Sequence, residues 1–287
     1  MNLPNTQLER LRILFVTQED PFYIPLFFER FFELCFSRDR RAGDAAGCKL
    51  DLAGVVIQRP LGNKTNKGLA RRMYRLYGPV GFIRMGIRYT AARLGRFLWS
   101  IRLGPLRLWP RHRSVEALSL RYGVPILPFV DMNGEQAVEF VRREETDLVV
   151  SVSASQIFKA AILSAPRIGC INLHNAPLPH YRGMLPNFWQ MLHGEEESVL
   201  TIHEMVVDLD KGDILKRKGT PIEPGDSLDD LIRRTKRRSA EILLETLEEV
   251  RRGTARLSPL PAEEGSYFTW PTREQAREFR RRGHRLL

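Results

Sequence analysis

The chain has 287 residues, 43% of them hydrophobic, and a formal charge of +11; this suffices for one large or two modest domains, and no run of 18 apolar residues reads as a membrane span. Its three cysteines, Cys35, Cys48 and Cys170, have no Cys-x-x-Cys spacing, and their odd number argues against a disulfide framework. The N-terminus lacks the apolar core of a secretory signal, so a cytoplasmic protein is the expectation.

In chain order, residues 12–17 (RILFVT) are expected as a first strand, followed by Gln18, Glu19, Asp20 and Pro21 and an aromatic helix over 26–36. A second strand is expected over 50–57, a third over 125–127, and a helix over 135–143. Residues 146–153 (TDLVVSVS) read as a buried parallel strand, because a short β-branched run is bounded by charge and small residues. The run 169–174 (GCINLH) is a further strand, 199–205 and 214–221 an antiparallel pair, and 227–252 a long helix with Asp226 or Ser227 as its cap. The tail carries an aromatic run at 266–271 (SYFTWP), expected to pack on the core in preference to lining a cleft, and a short charged helix starting at Pro271 and Thr272. Strands alternating with helices predict an α/β fold with a mostly parallel sheet and right-handed crossovers.

Charge is distributed unevenly. Residues 59–121 hold 15 Lys and Arg against the single acid Glu116, whereas the rest of the chain nets −3. Between Gly78-Pro79 and Gly104-Pro105, Ile83, Ile87, Ala91, Leu94, Leu98 and Ile101 recur at helical spacing, with Arg84, Arg88, Arg93, Arg96 and Arg102 off that stripe. Three readings of this basic amphipathic helix stand: a helix packed on the core with a solvated basic face, a peripheral membrane or lipid-linked-substrate contact, and a site for an anionic carrier, nucleotide or RNA. Trp99 and Trp109 near its end favour an interface.

The chemistry concentrates at Asn172, His174 and, 36 residues beyond the histidine, Asp210. An extended strand alternates its faces, so Asn172 and His174 share one face while Ile171 and Leu173 take the other. Moving an acyl group onto an amine requires a donor for the developing oxyanion and a route for the amine proton; an amide, an imidazole and a carboxylate supply both. The carboxylate would fix the imidazole tautomer and favour its charged form. Taken singly, each residue is more often a satisfied structural polar group than a catalytic one. The six histidines are dispersed, with no His-x-x-x-His pair, and neither GxGxxG nor a P-loop occurs, so no metal is expected.

The runs 169–174 (GCINLH), 177–183 (PLPHYRG), 186–189 (PNFW), 201–205 (TIHEM) and 209–215 (LDKGDIL), with Gly194 and Glu195, resemble the 10-formyltetrahydrofolate-dependent formyltransferases. That family includes glycinamide ribonucleotide formyltransferase, methionyl-tRNA formyltransferase and sugar N-formyltransferases. The resemblance covers about residues 147–253. It implies a Rossmann-like formyltransferase domain over 10–253, lengthened by the basic insertion at 59–121 and followed by an extension at 254–287. It also implies that Asn172, His174 and Asp210 are catalytic, that the loop with Gln156, Ile157 and Phe158 wraps the pterin-like ring of 10-formyltetrahydrofolate through backbone hydrogen bonds, and that Val207 and Asp208 form the other wall.

Departures from the family narrow the acceptor, a primary amine for which an amino sugar is the leading candidate. Where the purine-pathway enzyme carries a glycine-rich phosphate loop, Glu19 and Asp20 stand instead, and two carboxylates without glycine suit an anion poorly. They are read either as a lure for a protonated amine or as a solvated loop. Asn175-Ala176-Pro177 replaces the family's usual Ser-Leu-Leu. Only 35 residues follow the long helix, too few for the RNA-gripping domain of the tRNA enzyme, so tRNA ranks low as a partner. A formyltetrahydrofolate hydrolase and a non-catalytic folate or membrane-surface binding protein are the alternatives from other classes.

Overall fold

A computed structural model describes residues 1–41, 49–58, 66–100, 114–261 and 264–287. The chain opens with β1 (Leu11–Gln18), α1 (Ile24–Arg41), β2 (Leu50–Gln58), α2 (Asn66–Ser100) and α3 (Val115–Tyr122). It continues with β3 (Ile126–Leu127), α4 (Glu135–Arg143), β4 (Leu148–Val152), α5 (Ala160–Leu163), β5 (Gly169–His174), β6 (Arg182–Gly183) and α6 (Pro186–His193). A hairpin of β7 (Glu197–Glu204) and β8 (Ile214–Pro221) leads to α7 (Leu228–Arg251), β9 (Tyr267–Phe268) and α8 (Arg273–Arg281).

The main sheet has the order β3-β2-β1-β4-β5-β7-β8. β3, β2, β1, β4 and β5 pair in parallel, β7 pairs antiparallel with β5 and β8 antiparallel with β7, so the expected mostly parallel α/β architecture is present. Because β1 is central, both of its faces are apolar: Leu11, Ile13 and Phe15 enter one layer with Phe27, Phe28 and Phe31 of α1 and Leu243 and Leu247 of α7. Leu14 and Val16 enter the other, with Ala137 and Val141 of α4 and Ile162 of α5. Phe15 meets Phe31 and Phe28 edge-on, at centroid distances of 5.0 and 5.3 Å. The chain moves outward from β1 to β2 and β3, then returns to β4 on the other side. That reversal leaves a crevice at the carboxyl ends of β1 and β4, where ligands bind in open α/β sheets.

Helix ends follow local chemistry. The Asp20 carboxylate accepts from the backbone amides of Phe22 (2.6 Å), Tyr23 (3.3 Å) and Ile24 (3.4 Å), so α1 begins two residues before the expected start. Asp20, read either as a lure for an amine or as part of a solvated loop, is therefore a helix cap. Ser227 and Thr272 cap α7 and α8, each in a reciprocal capping box with Asp230 or Gln275.

The basic segment departs most from expectation. α3 lies within the insertion expected at 59–121, yet Val115 and Leu118 are buried in the α1 layer, so α3 is part of the core. α2 is interrupted at Gly78 (φ 71°, ψ −179°), ahead of Pro79, a conformation that glycine supplies without a Cβ penalty. Beyond the break Met85 is buried, whereas Ile83 (61% exposed), Ile87 (63%) and Leu94 (50%) face outward. The helix packs on the core, but with the face opposite to its longest apolar stripe. Arg88, expected to be off the packed face, turns in to the Asp229 carboxylate at 3.1 Å and over the Phe22 ring at 5.4 Å. Ile101, Arg102, Gly104, Pro105 and Trp109 lie outside the described residues, as do the side chains of Arg96, Leu98 and Trp99.

The tail packs back on the core as expected. β9 pairs with β6, where Gly183 (φ 99°) lets the Phe268 carbonyl approach closer than any Cβ would allow. Phe268 stacks on Trp189 at 4.6 Å and Phe279 of α8 on Phe188 at 4.7 Å.

Candidate active site

β5 supplies the site because its two faces differ: Ile171 and Leu173 are buried on one, while on the other, beyond buried Cys170, Asn172 and His174 are half-buried at the carboxyl end. The antiparallel pairing sets Asn172 opposite His203 and His174 opposite Thr201. Facing pairs are near neighbours. The Asn172 amide nitrogen lies 3.2 Å from His203 Nε2, and His203 Nδ1 lies 2.8 Å from the Glu204 carbonyl. A ring that donates Nδ1–H to that carbonyl leaves Nε2 to accept from Asn172. One amide hydrogen is thereby fixed, and the other stays available to a developing oxyanion.

The β7–β8 loop returns Asp210 to the same place. Asp210 is 7% exposed, adopts φ 54°, and sets Oδ1 3.5 Å from His203 Nε2. The loop closes tightly because Gly212 lets the Glu204 carbonyl approach where a Cβ would collide. Burial pushes the His203 pKa down, opposed by the Asp210 charge and the Glu204 hydrogen bond. Asp210 thus meets His203 at this contact, where the sequence led one to expect His174. His174 Nε2 reaches the Tyr181 carbonyl at 3.2 Å, which leaves Nδ1 as the ring atom able to exchange a proton. Ser153, Tyr181 and Asp210, all with positive φ near 55°, border this region, a clustering of backbone strain common at functional sites.

The turn after His174 is well held despite its departure from the family pattern. Thr201 Oγ1 donates to the Ala176 carbonyl at 2.6 Å, Gln190 donates to the Asn175 carbonyl at 2.8 Å, and Ser239 Oγ lies 3.2 Å from Asn175 Oδ1.

The loop after β4 is pinned by Gln156. Its Oε1 accepts from Gln58 Nε2 (2.6 Å) and from the Met132 amide (2.9 Å), and its Nε2 donates to Asp131 (2.7 Å). Ile157 is 64% exposed and its carbonyl accepts from Asn133. The Phe158 side chain, 2% exposed, lies in the core beside Ile162 and Cys170, so only its backbone can face a ligand. In the facing loop Val207 is exposed, and Asp208 makes an exposed pair with Lys211 at 3.3 Å, of little energetic weight.

Four polar residues at the site were given no role from the sequence, although the first two lie in the run 201–205 that carries the resemblance: His203, Thr201, Gln58 and Lys236. For the first two a signal existed, since Thr201-Ile202-His203 repeats the polar alternation of Asn172-Leu173-His174. Lys236 of α7 donates to Ser153 Oγ at 3.2 Å beside the crevice. Burial lowers its pKa, offset in part by Asp20. A lone lysine on a basic helix carries no such signal. Cys170 is buried and its thiol pKa is pushed up by burial, as expected for a small core residue. Among the described residues, no group of three or more His, Cys, Asp and Glu is arranged to hold a metal ion.

Residues 131–247 match the family model described as formyl transferase. The methionyl-tRNA formyltransferase of Citrifermentans bemidjiense is 37% identical over 139 residues, 48% of this chain and 44% of that protein; the chain spans about half the length of the curated relatives it matches. A sugar N-formyltransferase from Shewanella sp. superposes with a TM-score of 0.53 at 19% identity, over 90% of this chain and 76% of the other. The N-formyltransferase of Helicobacter canadensis, solved with folinic acid and dTDP-3-aminofucose, superposes with a TM-score of 0.51 at 12% identity, over 90% of this chain and 71% of the other. At these identities the two structures establish the shared fold.

Proposed function

Since residues 131–247 belong to the formyl transferase family, we propose that the protein transfers a formyl group from 10-formyltetrahydrofolate to a primary amine of a small or carrier-linked acceptor, an amino sugar foremost. The observation that carries this reading is the array of Asn172, His203 and the buried Asp210 beside His174 at the carboxyl end of β5. The amine attacks the formyl carbon, whose oxygen takes up negative charge as the carbonyl π bond breaks. The free Asn172 N–H and the Nδ1–H of a protonated His174 ring stabilise that oxygen. Asp210 receives the amine proton through water, the bond to the folate nitrogen breaks, and tetrahydrofolate leaves with a proton. No covalent intermediate on the protein is required. Gln156, Ile157 and the Phe158 backbone on one side, with Val207 and Asp208 on the other, are the proposed walls of the folate site. The catalytic unit is proposed to span 10–253, with the tail as its buttress.

On the acceptor side, Asp20 occupies the amides at the start of α1 that a phosphate would need, which argues against a phosphate bound there. A second acceptor, charged initiator tRNA, draws support from the Citrifermentans relative. Incubation with 10-formyltetrahydrofolate alone, with nucleotide-linked amino sugars, and with methionyl-tRNA separates the readings, following tetrahydrofolate release and formamide mass. Formylated amino sugar is the expected product. Folate turnover without any amine would assign water as the acceptor, and formylated methionyl-tRNA alone would replace the amino sugar.

A further inference from the structure

We propose that the outer face of α2 docks the protein peripherally on an anionic lipid bilayer. The residues that α2 turns away from the core are not the polar ones: Val80 (70% exposed), Ile83 (61%), Ile87 (63%) and Leu94 (50%). At about 100° per residue these four fall within about 60° of arc, a single line along the helix. The opposite side already meets the demand of the core through buried Met85 and half-buried Ala92 and Arg88. The orientation is held by the Arg88 to Asp229 ion pair at 3.1 Å, and before the Gly78 break by Arg280, which donates to the Leu76 carbonyl at 2.6 Å. α2 therefore has two apolar faces, and only one of them has a partner among the described residues.

Charge selects the occupant. α2 contains eight Lys and Arg and no Asp or Glu; exposed Arg84 lies about 40° beyond one edge of the stripe and exposed Arg93 about 80° beyond the other. An apolar line flanked by arginines suits the boundary between acyl chains and anionic headgroups: the aliphatic side chains enter the apolar layer while the guanidinium groups stay with phosphates. A second copy of this stripe would set the arginines of both copies against one another, which disfavours a dimer through this face. No helix among the described residues is long and apolar enough to cross a membrane, so the helix lies on the surface. Nothing in this proposal depends on the acceptor or on the reaction.

The test is co-sedimentation of the full chain with vesicles of phosphatidylcholine containing about one part in four of phosphatidylserine, with phosphatidylcholine alone as the comparison. Binding to the anionic vesicles that weakens as salt rises is expected. Ile83→Glu combined with Ile87→Glu is expected to lower it by about tenfold or more, with the thermal transition and folate binding unchanged. Arg84→Gln with Arg93→Gln should reduce the salt dependence while retaining the fold, and Ile87→Trp should bind more tightly. Equal binding by the wild type and the double glutamate variant would overturn the proposal. It would also fall if the wild type ignored anionic vesicles at low salt, if it bound RNA through the stripe without binding vesicles, or if sedimentation revealed a dimer that the glutamate variant dissolves.

Discussion

β5 and the second half of α2 partition their side chains in opposite ways. β5 buries Cys170, Ile171 and Leu173 and leaves Asn172 and His174 accessible. α2 turns Val80, Ile83, Ile87 and Leu94 outward while drawing Arg88 toward Asp229. Both segments have a clear apolar periodicity. In β5 the strand is flanked on both sides by others, so its pattern has one resolution. In α2 a half-buried ion pair and one buried methionine decide which face is inside. Periodicity predicts that a face exists; its neighbours decide which way it points.

The largest expected effect tests the polar side of this comparison. Asp210→Asn should lower turnover by about a thousandfold with the fold intact, because asparagine tolerates the positive φ and removes only the charge. Steady-state formyl transfer checks it, and near-normal activity would remove Asp210 from the mechanism. On the apolar side, Phe279→Ala empties a fully buried stack on Phe188 and should cost about 3–5 kcal/mol in denaturant unfolding. Within α2, Met85→Ala should cost about 2 kcal/mol or more, whereas Ile87→Ser should stay within about 0.5 kcal/mol. Equal costs at Met85 and Ile87 would mean that the outward stripe is covered in solution.

His203 joins the two sides of the argument, being a polar group that the fold buries. His203→Gln should lower kcat by about ten- to a hundredfold with little change in KM, through lost orientation of Asn172. It also carries a pH signature. A histidine whose folded-state pKa is below its ordinary value of 6.5 contributes stability that is present above 6.5 and lost as the pH falls through the folded-state value, because the unfolded chain binds the proton first. The wild-type melting temperature should therefore drop on acidification below about 6.5, and the variant should drop less. Identical pH profiles would show that His203 is not held neutral.

The sequence alone was sufficient for the order and type of most elements: the helix expected over 135–143 and the strand expected over 214–221 occupy those bounds. These segments have short-range signals, an amphipathic period of 3.6 or a β-branched run with a turn beside it, and their flanking residues stop them locally. The face shared by Asn172 and His174 was legible for the same reason, since strand alternation is a property of the backbone. Tertiary structure decided the rest. It set His203 between Asn172 and Asp210, since the antiparallel register of β7 on β5 depends on strands about thirty residues apart. It made Phe158 a core residue and Asp20 a helix cap. It also turned the apolar stripe of α2 to the outside, because Asp229 and Phe22, distant in sequence, converge on its other face.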